Sequence, residues 1–235
     1  SMPQTLLEIR FAALGGATTQ ILENDQQVAY KASGAGYTYT ATGDGVLQLS
    51  ATAAGIGYVV SQSRKYVTYQ AGKSLLIMMS GVFKPSNPKF TSRIGYFDSF
   101  YGGVTPVPLN GVYLSFDAGV ASLNISNNGV VQSIPQSQWN VDKMDGTGVS
   151  GLNLMFSFTQ LFVMDVEWLG VGRVRFGFYA FGRIQYCHQV PHLNELTAPY
   201  AQNINLPLTY MLLSTDATVG STNIRQICAT VLSEG

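Results

Sequence analysis

Between Leu161 and Val190 apolar and polar positions alternate with a period of two, in LFVMDVEW, RVRFGFYA and IQYCHQV, broken by the glycine-bearing LGVG and FGR. That period sends successive side chains to opposite faces of a strand, so three consecutive antiparallel strands joined by tight turns are predicted. With the first turn centred near Gly170, Phe162, Met164, Val166, Trp168, Val174, Phe176 and Phe178 share one face. Asp165, Glu167, Arg173, Arg175, Tyr179, Tyr186 and His188 share the other. The same register sets Glu167 opposite Arg173 and Asp165 opposite Arg175, favourable pairs across a sheet. One face is expected to be core, and the other carries the densest cluster of charge in the chain.

The alternation recurs elsewhere. YTYTAT and VLQLSAT flank Gly43-Asp44-Gly45 and predict a hairpin. GIGYVVSQSRKYVTY (55–69), SLLIMMSGVF (74–83), SRIGYFDSF (92–100), VYLSFDAG, VASLNIS, VVQSIP and NLPLTYMLLS read as further strands. In STNIRQICATVLSEG the period runs through Ile224, Gln226, Cys228 and Thr230 and predicts a last one. TLLEIRFAAL (5–14) suits a strand or a short helix, ended by Gly15-Gly16. KPSNPKF (84–90), YGGVTPVPLNG (101–111), QSQWNVDKMDGTGVSG (136–151) and PHLNELTAPYAQ (191–202) are loops by their proline, glycine and polar content, the last with room for one helical turn. About a dozen short strands and no convincing long helix predict an all-β fold, two packed antiparallel sheets. The strand order and long connections favour a jelly-roll-type sandwich over residues 61–235, with residues 1–60 as strands and turns within it or packed on it. An up-and-down barrel is the alternative architecture.

Composition sharpens this. Charged residues are 11% of the chain, against roughly a quarter in ordinary soluble domains. The 25 glycines, 13 tyrosines and 12 phenylalanines suit strands and turns. Thirteen basic and thirteen acidic residues cancel, so no electrostatic footprint for nucleic acid exists. No apolar run approaches the roughly 20 residues that cross a bilayer as a helix. The N-terminus lacks a basic segment followed by an apolar stretch, so no secretory signal is expected and the Asn124-Ile125-Ser126 sequon is expected to stay unused. Cys187 and Cys228 cannot form a disulfide framework and are expected as buried thiols.

Candidate chemistry is sparse. Asp165 and Glu167 project from one face of a strand, as the two carboxylates of a glycoside hydrolase do. In jelly-roll glucanases that strand carries Glu-x-Asp-x-Glu; here the leading position is Val163. Arg173 and Arg175 would neutralise the remaining carboxylates, the opposite of what a general acid needs. A cross-strand ion network is the expected role, and no catalytic residue is predicted. Gly72-Lys73-Ser74 lacks the upstream glycine of a phosphate loop, since position 67 is Val, and reads as a turn. Asn140, Asp142 and Asp145 do not match a helix–loop–helix calcium loop and suit Asx turns instead. His188 and His192 have no third ligand at metal spacing, and no G-x-S-x-G elbow supports a serine triad. No metal or cofactor is expected. The remaining binding candidates are Tyr179, Tyr186, Trp139 and the 136–151 loop, which could meet sugars or protein partners. Low charge and abundant aromatics also fit a chain that buries surface in an assembly.

The phrases SQSRKYVTYQAGKSLL, SRIGYFD, QSQWNVDKMDGTGVSG, VMDVEWLGVGRVRFGF, LPLTYM and RQICATVLSEG occur in that order between Ser61 and the C-terminus. The series resembles uncharacterised structural proteins of tailed bacteriophages and some large DNA viruses. The resemblance implies a virion component assembled inside the host cell, a capsid-associated, fibre or tail-associated subunit that associates with itself or with other virion proteins. It carries over no defined activity, and the chain is expected not to be an enzyme. Binding of host-surface glycans is the alternative function, and a glycosidase-like activity a more distant one.

Overall fold

The computed structural model describes residues 3–10, 28–42, 44–168, 172–192, 199–217 and 220–234. Among these run β1 (Gln4–Arg10), β2 (Val28–Ser33), β3 (Tyr37–Thr42), β4 (Val46–Ala54), β5 (Gly57–Ser63), β6 (Ser74–Val82), β7 (Thr91–Phe100), β8 (Val107–Asp117), β9 (Val120–Asn127), β10 (Val130–Pro135), β11 (Gln160–Val166), β12 (Arg173–Ala180), β13 (Arg183–Pro191), β14 (Leu208–Ser214) and β15 (Gly220–Glu234). A 3-10 turn covers Gln136–Gln138. The first sheet has the order β13-β12-β11-β6-β15-β4-β3, with β1 also on β15; the second runs β10-β9-β8-β7-β14-β5-β2. All these pairings are antiparallel, and the two sheets form a jelly-roll-type sandwich. Strands from the first sixty residues lie in both sheets. The glycine expected at the centre of the first meander turn, Gly170, lies outside the described residues, as do residues 193–198 of the 191–202 loop expected to hold a helical turn.

Period-two alternation places Leu47, Leu49, Ile77, Met79, Phe162, Met164, Val174, Phe176 and Phe178 of the first sheet against Ile94, Tyr96, Leu114, Phe116, Leu123 and Leu212 of the second, in one apolar core. Buried hydroxyls in it find partners. Tyr210 donates to the carbonyls of Ser80 (3.2 Å) and Cys228 (3.1 Å). Tyr96 donates to the Val67 carbonyl at 3.1 Å and accepts from the Leu206 N–H at 3.2 Å. Three two-residue hairpins need positive φ at both central positions: Ala118-Gly119, Asn128-Gly129 and Phe181-Gly182, with φ of 48° and 80°, 50° and 81°, and 54° and 78°.

A second apolar cluster lies outside the second sheet, built from Tyr58, Val60, Phe97, Tyr113, Met211 and Leu213. The β7–β8 connection roofs it. Tyr101 packs there and donates to Gln62 Oε1 at 3.1 Å, while Arg93 donates to the Pro106 carbonyl at 2.9 Å. Lys31 Nζ sits 4.7 Å from the Tyr101 ring centre.

Two bulges revise the faces expected from strict alternation. In β15 the register shifts between Gln226 and Cys228, so Ile224 and Gln226 are buried on the core side and Ala229 and Val231 take over that side. Cys228 is therefore exposed, not buried as expected, while Cys187 is buried. In β13 the register shifts beside Phe176, which faces His188 in place of Cys187. His188 thereby leaves the Arg175 face and turns inward beside Cys187.

Candidate functional site

The outer face of the first sheet is positioned by β11 and its neighbours. Asp165 stands opposite Arg175 on β12 and opposite Leu76 on β6. Asp165 is 2% exposed, and Arg175 donates to its Oδ2 through Nε at 2.9 Å and also through Nη2. The Arg175 guanidinium lies over the Tyr186 ring, 4.4 Å from its centre, and the Tyr186 hydroxyl reaches the same Oδ2 at 3.5 Å. Burial, and then the charge on Asp165, push the Tyr186 phenol above its ordinary value, so it remains a donor. Asp165 Oδ1 is buried with no hydrogen-bond partner among the described residues. Val163, next along this face, is fully buried. Arg173 and Glu167 form a looser, half-exposed pair at 4.0 Å. Tyr179 is exposed at the far end of β12, opposite Ile184.

The 136–151 loop closes the sandwich edge over β13. Asn140 mimics a strand residue, donating from Nδ2 to the Gln189 carbonyl (2.8 Å) and accepting the Gln189 N–H at Oδ1 (2.9 Å). Its own N–H donates to His188 Nδ1 at 3.1 Å. That bond requires an unprotonated Nδ1, and burial holds the imidazole below its ordinary value. The Val141 and Asp142 N–H groups both donate to the Cys187 carbonyl, at 3.1 and 3.0 Å. Asp142 accepts from Met144 N–H at 2.8 Å and Ser150 N–H at 2.7 Å. Burial alone would raise its proton affinity, but these N–H groups outweigh it and hold the carboxyl below the usual range. Asp145 accepts from Thr147, through both the backbone N–H (2.9 Å) and the hydroxyl (2.6 Å). These are the Asx turns expected of the stretch. Trp139, a candidate for surface binding, is instead 3% exposed, stacked on Phe178 at 6.2 Å with its N–H on the Ile134 carbonyl. It is a core residue.

Two grooves flank this loop and share no lining residue. The first, about 470 Å³, runs between β13 and the loop, lined by Val141, Asp142, Val149, Ser150 and the Arg183–Tyr186 run. Tyr186 thus belongs both to the charged face and to this groove. The second, about 640 Å³, lies at the end of the sandwich between the β6–β7 connection, the 154–157 segment and the start of β15. The sequence flagged Tyr186 and the 136–151 loop, hence Asp142 and Ser150, but not Arg183, Lys84 or Asn223. Their only advance signal was isolated polarity inside turn-rich stretches of a charge-poor chain.

No family model matches the chain, and no curated protein does. Solved structures of similar architecture include a protein of unknown function from Shewanella oneidensis MR-1, at 12% identity, covering 99% of this chain and 87% of that one with a TM-score of 0.53. Arcelin-5, a lectin-like defense protein from Phaseolus vulgaris, is 8% identical over 100% of this chain and 99% of that one, with a TM-score of 0.54. A β-glucanase of Bacillus licheniformis is 12% identical over 96% of both chains, with a TM-score of 0.53. At these identities the likeness is one of fold: a jelly-roll sandwich of the lectin and glucanase kind.

Proposed function

We propose that the protein is a non-enzymatic recognition module that binds glycan in the groove between β13 and the 141–150 loop. The observation that carries this reading is the closed state of the carboxylate cluster beside an open groove. Asp165 is taken up by Arg175, and Val163 fills the neighbouring position where glycoside hydrolysis would want a second carboxylate. What remains accessible suits binding: the Tyr186 ring edge, the exposed Arg183 with no acidic partner among the described residues, the Ser150 hydroxyl and the Val149 side chain. A ring with one apolar face and a rim of hydroxyls matches that lining. The test is a glycan array probed with the labelled protein, followed by titration of the best ligand. Arg183→Ala and Tyr186→Ala should each weaken binding about tenfold or more. An array with no retained glycan, or binding indifferent to both variants, refutes the reading. Unchanged behaviour of Asp165→Asn and Glu167→Gln variants on a polysaccharide panel supports the non-enzymatic part, and hydrolysis lost in those variants overturns it.

The resemblance of the ordered phrases to phage and viral structural proteins supports a particle as the setting, with the module docked on a capsid or tail and associating with other virion subunits. Mass spectrometry of purified particles tests this, and absence of the chain from them rejects it.

A further inference from the structure

We infer that the end groove of the sandwich is a second ligand site, specific for a sugar that carries one carboxylate. Its lining contains one cation, Lys84, and no acidic residue. Lys89, in the same β6–β7 connection, is engaged by Asp216 at 3.4 Å, whereas Lys84 is half-buried with no acidic partner among the described residues. An ammonium held at the wall of a groove without a counter-ion leaves a single positive charge for a ligand to neutralise. The other polar groups are uncharged. Gln136 spends both amide hydrogens on the carbonyls of Lys143 (2.9 Å) and Met144 (3.2 Å), which fixes its plane and leaves Oε1 as an acceptor. Asn223 and Ser157 are exposed at the rim, and Leu154, Phe156 and Val82 supply an apolar surface.

One charge, several neutral donors and acceptors, and an apolar wall fit a ring with one carboxylate, several hydroxyls and a C–H face. A phosphate fits less well, since it favours guanidinium forks, and no arginine lines the groove among the described residues. The volume, about 640 Å³, accommodates a monosaccharide or the end of a short chain. This site shares no residue with the Tyr186 groove, so it stands or falls separately from the function proposed above.

Saturation-transfer NMR on the full chain, with glucuronic acid and N-acetylneuraminic acid against glucose and galactose, tests it. Transfer is expected to the acidic sugars and not to the neutral ones, and to decline as salt is raised. Lys84→Ala should weaken the acid-sugar affinity about tenfold or more, Lys84→Arg should largely restore it, and Lys73→Ala, at the opposite end of β6, should leave it unchanged. Arg183→Ala should also leave it unchanged, which separates this site from the other groove. Equal binding of neutral sugars, or affinity indifferent to Lys84→Ala in a variant that melts like the parent, would overturn the assignment. So would capture of an acidic peptide but neither acidic sugar.

Discussion

Replacing Arg175 with alanine tests the physical role of the central pair directly. Asp165 is 2% exposed, and the variant strips both guanidinium contacts from its Oδ2, leaving among the described residues the Tyr186 hydroxyl at 3.5 Å and an Oδ1 without a partner. Removing one member of a buried ion pair costs about 3–5 kcal/mol, because the survivor stays charged in a poor solvent. Arg175 keeps about a quarter of its side chain in water, which favours the lower end, so a loss of about 3 kcal/mol at pH 7 is expected. In a chain of this size that lowers Tm by roughly 6–12 °C. Urea unfolding at pH 7 reads it. The double variant Asp165→Val, Arg175→Met should fall within about 1 kcal/mol of the parent, because a matched apolar pair beside Val163 needs no charge compensation. An Arg175→Ala variant as stable as the parent, or a double variant as unstable as the single one, refutes the reasoning.

Protonation of His188 breaks its bond from Asn140 N–H, and its proton affinity is lowered in the fold, so its contribution is complete above about pH 6.5 and declines as pH falls below that. His188→Asn, which keeps an acceptor, should flatten the stability slope between about pH 6.5 and 5 in denaturant titrations, and an unchanged slope counts against the assignment. A Cβ added at Gly148 would run into the Asp142 carboxylate, so Gly148→Ala should cost about 2–4 kcal/mol by breaking charge-assisted bonds. Gly146→Ala, where only φ of +87° is unfavourable, should cost about 1–2 kcal/mol, and chemical denaturation should show that order. Phe181 is 76% exposed with φ of +54° at the first position of its turn, so Phe181→Asn should stabilise the chain by about 0.5–1 kcal/mol, and a lowered Tm would contradict this.

The meander was legible in sequence because its alternation is strict and its charges are complementary. Phe162, Met164, Val174, Phe176 and Phe178 could only be core, and the Asp165–Arg175 register followed. What alternation cannot carry is a bulge, since one extra residue inverts every later position on a strand. That single effect misplaced His188 on β13 and Cys228 on β15. Trp139 was misjudged for another reason: polar neighbours suggested exposure, but its indole is the cap that the sandwich edge requires over Phe178. The outer cluster around Phe97 and Met211 was equally hidden, because its roof, residues 101–106, is turn-rich and looks solvent-facing by composition.

Both proposed sites depend on the 136–157 segment, and its construction explains why a loop can serve as a wall. A loop needs partners for its backbone groups, and this one uses Asn140 and the 141–142 N–H groups to extend the β13 edge as though it were another strand. Asp142 then gathers Met144 and Ser150 around one carboxylate, and Gln136 fastens the carbonyls of Lys143 and Met144 from the other side. Asp142 lines one groove and Gln136 the other, so the same few bonds set both shapes. Disturbing the Asp142 turn should therefore loosen both walls together, whereas Arg183 and Lys84, which line one groove each and take part in none of these bonds, can be changed one at a time. Rigidity is shared between the two sites while specificity is separate.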